Sequence, residues 1–110
     1  RRSAARSYEL EVGQVAAYVR QVLDTHSIYK RTTERVSDNG TTRIFYTNVQ
    51  PDIPLILGTD MYVSLEPTGG QTQVTIKVES QPWIYGDIFG MYERYISTFF
   101  SRLSEEARHK

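Results

Sequence analysis

The chain has 110 residues, of which 39% are apolar and 24% charged, and its thirteen basic and thirteen acidic residues give zero formal charge. That size and balance suit a soluble globular fold that buries roughly two-thirds of its unfolded surface, and they lack the basic excess that phosphate contacts demand of a general nucleic-acid binder. With no cysteine there is no disulfide, no thiolate metal ligand and no thiol nucleophile, and no apolar run approaches the roughly 18 residues of a membrane span.

Residues 1–6 (RRSAAR) are small and basic and read as a flexible lead-in. Opening on Arg1 rather than Met, the chain is expected to be a piece of a longer or processed protein, which leaves cytoplasm and bacterial envelope both open. Residues 7–12 alternate Tyr8, Leu10 and Val12 against Ser7, Glu9 and Glu11, the pattern of a short half-buried strand. Gly13 punctuates it. Val15, Ala16, Val19, Val22 and Leu23 then recur at steps of three and four, predicting a helix over 14–25.

Four strands follow. Residues 28–37 (IYKRTTERVS) are β-prone but strongly charged, which predicts a sheet edge or a solvated face. Tyr29, Lys30, Arg31 and Arg35, with Arg43 opposite, could form a basic strip there, diluted by Glu34 and Asp38. Asp38-Asn39-Gly40 is a hairpin signal, and residues 42–50 pair back. Residues 59–68 put Met61, Val63 and Leu65 on one face. After Pro67-Thr68-Gly69-Gly70, residues 72–80 put Val74, Ile76 and Val78 inside.

The last third holds seven of the thirteen aromatic residues: Trp83, Tyr85, Phe89, Tyr92, Tyr95, Phe99 and Phe100. Ile88, Met91, Tyr92, Tyr95, Ile96, Phe99 and Leu103 form its helical stripe, entered at Pro82 or capped by Asp87. A face that wide needs a cover, and the sheet supplies one. Residues 7–104 therefore read as a single α+β domain of order β-α-β-β-β-β-α, a curved antiparallel sheet on a long C-terminal helix, with 105–110 a charged tail.

The helix 13–25 after a first strand, Leu65-Glu66-Pro67 with Gly69-Gly70, the run Thr72-Gln73-Val74-Thr75-Ile76-Lys77-Val78, and Gly86-Asp87 before the last helix resemble the helix-grip and TBP-like groups of folds. In its tail the chain resembles small bacterial TBP-like domains of unknown function, and in the same stretches START-like lipid-binding domains. The resemblance implies a non-catalytic binding module for a protein partner, in a larger or envelope-associated assembly. The START-like alternative implies a carrier of a hydrophobic small molecule or lipid in a helix–sheet cavity. The chain departs from the DNA-binding member of the TBP-like group, having no tandem duplication and no Phe wedges on its exposed sheet face, so no nucleic-acid partner is expected.

No motif for catalysis stands out. There is no nucleophile elbow and no phosphate loop, and His26 and His109 lack partners at metal-ligand spacing, so neither a metal nor another cofactor is expected. An enzyme using Asp87, Tyr92 or Glu93 is the weakest reading, and the expectation is no enzyme. The candidate binding residues lie in two places. Ile53, Leu55, Ile56 and Leu57 crowd a connection broken by Pro51 and Pro54, either plugging the open end of the fold or forming a partner-binding or lipid-facing lip. Trp83, Tyr85 and Phe89 lie with Gly86 and Gly90 at the N-terminal end of the aromatic stripe, the part that a core role leaves unexplained.

Overall fold

A computed structural model of the chain describes residues 1–50, 58–79 and 90–108. It has the element order β1 (Arg2–Tyr8), α1 (Val12–Thr25), β2 (Tyr29–Val36), β3 (Arg43–Val49), β4 (Thr59–Thr68), β5 (Gln71–Glu79) and α2 (Met91–Arg108). The strands form one sheet of order β1-β5-β4-β3-β2, antiparallel at every step. This is an α+β fold with both helices packed on one face.

The path explains the order. β1 and β2 are opposite edges, four inter-strand gaps or about 19 Å apart. The 14 residues of α1 rise about 21 Å, enough to carry the chain from one edge to the other. β2 to β5 then return as hairpins, and β5 closes on β1 in unbroken register from Arg2↔Val78 to Tyr8↔Thr72.

Alternation along the strands makes the core. Phe45, Val49, Met61, Val63, Leu65, Val74, Ile76 and Val78 all point to the helical side and are buried. They meet Val15, Ala16, Tyr18, Val19, Val22 and Leu23 of α1, and Tyr92, Ile96, Phe99, Phe100 and Leu103 of α2. Three threonines share this face. Two satisfy their hydroxyls on backbone carbonyls, as burial requires: Thr72 donates to Leu10 O at 2.7 Å and Thr47 to Lys30 O at 3.0 Å.

The turns follow their residues. Gly69 and Gly70 have φ of +56° and +83° and join the paired Thr68 and Gln71, a two-residue turn that only small residues adopt without strain. Pro67 lies past the last β3–β4 pair, Arg43↔Leu65, so its missing N–H costs no bond to β3. In the β2–β3 hairpin Asn39 Oδ1 accepts from Thr41 N at 3.1 Å and Thr41 Oγ1 at 2.8 Å, while Ser37 N–H donates to Thr42 O at 2.8 Å.

Two boundaries differ from the sequence reading. Residues 2–6, expected as a lead-in, belong to β1, and the expected strand over 7–12 keeps only Tyr8 and Ser7. The alternation of Tyr8, Leu10 and Val12 comes instead from residues that fold onto the core where β1 turns into α1. At the other end α2 continues to Arg108 through the expected charged tail, with Ala107 against the core. Pro82 and Asp87, the expected helix start, lie outside the described residues. Among the described residues no helix is long and apolar enough to cross a membrane.

Candidate functional site

The seven candidate binding residues, Ile53, Leu55, Ile56, Leu57, Trp83, Tyr85 and Phe89, lie outside the described residues, as does Asp87. What the structure places is the frame on either side of them.

At the root of the 51–57 connection, on the sheet face away from the helices, Asp60 Oδ1 accepts from Tyr46 Oη at 2.6 Å and Asn48 Nδ2 at 3.2 Å. Gln50 Nε2 donates to Asn48 Oδ1 at 3.0 Å. The hydrogen bond to Asp60, then burial, pushes the Tyr46 hydroxyl pKa up. Tyr46 sits directly opposite Tyr62, which sits opposite Lys77. The two rings are 5.3 Å apart and tilted, and the Lys77 ammonium lies 5.0 Å from the Tyr62 centroid. These contacts are cross-strand neighbours on a solvated face and stabilise the ladder.

β2 is an exposed sheet edge, as its charge suggested, and the residues of the alternative basic strip make separate contacts. Tyr29 faces the core, where its ring meets Phe99 edge-on at 6.0 Å and its hydroxyl accepts from Arg102 at 3.2 Å. Arg31 occupies a bulge with φ of 55°. Glu34 takes both Arg20 nitrogens at 2.8 Å and lies 3.7 Å from Arg43. His26 stands edge-on to Tyr29 at 6.3 Å; burial, with Arg102 nearby, lowers its pKa. No group of three His, Cys, Asp or Glu able to hold a metal occurs among the described residues. Tyr92 is a core residue, and Glu93 is exposed at 3.7 Å from Arg2.

The feature that sequence reading missed is at the β1 edge. A groove of about 310 Å³ runs between β1 and α2, lined by residues 2–6 and by Glu93, Ile96, Ser97 and Phe100. Pairing with Val78, Ile76, Val74 and Thr72 puts Arg2, Ala4, Arg6 and Tyr8 on the helical side of the sheet. Ala4 is too small to fill the space below α2, and Arg6 extends over Phe100 with its guanidinium carbon 4.5 Å from the ring centroid. Further along, Tyr8 ties β1 to α2 through a 3.0 Å hydrogen bond with Ser104. The only signal in the sequence was the alternation of Arg2, Ala4, Arg6 and Tyr8 against Ser3, Ala5 and Ser7, which carries no large aliphatic residue.

Comparison with known protein families finds no family model that matches the chain, and none of the curated proteins matches it either.

Proposed function

We propose that this chain is a non-catalytic binding module of helix-grip or TBP-like build that recognises a protein partner through its surface. The observation that carries this reading is how deeply the described side chains between helices and sheet are buried. Phe45, Met61, Leu65, Ile76 and Phe99 in that layer are each at most 1% exposed. A START-like carrier needs its ligand to occupy that same layer. The two tyrosines of the outer face spend their contacts on neighbours within the sheet, and the open groove lies at an edge, where a macromolecule has access.

The aliphatic run of the 51–57 connection is the sequence feature best suited to extend such a surface. The test is a quantitative pull-down from extract of the native cells, comparing wild type with Leu55→Ser/Leu57→Ser, alongside thermal unfolding of both. A protein retained by wild type and lost by the variant, at unchanged Tm, is the expected result. Retention of no protein above the bare-resin control would overturn the reading.

A further inference from the structure

We infer that the outer edge of β1 takes up an extended acidic strand from a partner protein, pairing backbone to backbone along Arg2–Tyr8 with a carboxylate seated on Arg6. This rests on the binding-module reading and gives it a place and a partner chemistry.

The two sheet edges differ in how they are guarded. β2 is interrupted by its register shift between Lys30 and Thr33, carries Arg31 in the left-handed region, and is tied to α1 through Glu34. Bulges and charges of this kind discourage a further strand. β1 has no register shift and no residue in the left-handed region, although it too carries arginines and contacts its helix. Its seven residues pair with β5 in continuous register, residues 2–7 are exposed, and no described strand lies beyond it. Five consecutive residues line the groove, so side chains of both faces and the strand edge between them border one opening. Strand addition uses such an edge: main-chain hydrogen bonds supply affinity, and pockets for alternate side chains supply specificity.

Charge selects the occupant. Residues 1–8 hold Arg1, Arg2 and Arg6 and no acid. Glu79 lies 3.3 Å from Arg1 and Glu93 3.7 Å from Arg2. Arg6 rests on the Phe100 face and has no carboxylate partner among the described residues. The cation–π contact holds the guanidinium over the ring and leaves N–H groups for a carboxylate. Two residues along on the same face, Ala4 beside Ile96 leaves room for an apolar side chain. The incoming strand thus carries an acid opposite Arg6 and an apolar residue opposite Ala4.

The test is fluorescence anisotropy with labelled acetyl-TETVTET-amide, its lysine counterpart acetyl-TKTVTKT-amide, and a fully N-methylated acidic probe that keeps the side chains but loses every backbone donor. Wild type is expected to bind the acidic probe at least roughly tenfold more tightly than either of the others, a margin of about one bidentate contact. Arg6→Glu, at an exposed position, is expected to reverse the charge preference. Equal binding of the N-methylated probe would overturn strand addition, and equal binding of the two charged probes would overturn the acidic assignment. If the acidic probe fails while Leu55/Leu57-dependent retention persists in the pull-down, the edge inference falls alone.

Discussion

Gly58 has no room for a side chain: a Cβ there would collide with Asn48 Oδ1. Asn48 is held on both sides, accepting from Gln50 and donating to Asp60. Gly58→Ala is therefore expected to displace the Asn48 amide and cost on the order of 1–3 kcal/mol, the usual penalty for breaking such a network. In an Asn48→Ala background the same change is expected to cost far less. Urea unfolding of the double-mutant cycle measures the difference, and an undiminished cost would place the strain elsewhere. None of this was legible in the sequence, because the neighbour of Gly58 is set by the β3–β4 register. The buried Thr47, Thr59 and Thr72 were hidden for a related reason. Threonine looks polar to a pattern, yet Thr47 and Thr72 sit on the core face because carbonyls of other segments accept their hydroxyls.

Elements are joined by a few specific contacts, and the tie between α1 and β2 is open to titration. The paired N–H donation from Arg20, aided by the charges of Arg20 and Arg43 and opposed by burial, holds the Glu34 carboxyl below its ordinary value. A depressed folded value means that stability is present above the unfolded pKa, about 4.3, and is lost as pH falls through the folded one. Arg20 is 44% exposed, so the contribution is below about 1 kcal/mol. Urea midpoints of wild type and Glu34→Gln are expected to differ at neutral pH and converge in acid; a gap independent of pH would remove the carboxylate from the explanation. Strands with a clean period of two, β4 and β5, were readable to within a residue of their ends. β1 was not, because Ala4 and the arginines offer no hydrophobic alternation and its strandedness depends on β5, some seventy residues away. The face of α2 was readable from Tyr92 to Leu103, apart from Phe100. That ring lies toward β1, whose presence there the sequence did not announce.

At the scale of the molecule, one crossing helix and four returning strands bring the two ends of the sheet path together, and α2 lies along the seam of β1 and β5. This places the aromatic helix over one side of the sheet, beside α1, and leaves a groove on its β1-facing flank. The order of elements was legible because each amphipathic period was strong enough to stand alone. The site was not, since it arises from the pairing of the first and fifth strands. The proposed module recognises partners at its surface and needs no ligand inside. Native mass spectrometry of freshly purified protein tests this most directly. The expected spectrum shows the bare chain, at about 12.7 kDa, or whole-number multiples of it. A co-purified lipid or other hydrophobic molecule, retained on the chain in the gas phase and released on unfolding, would contradict it.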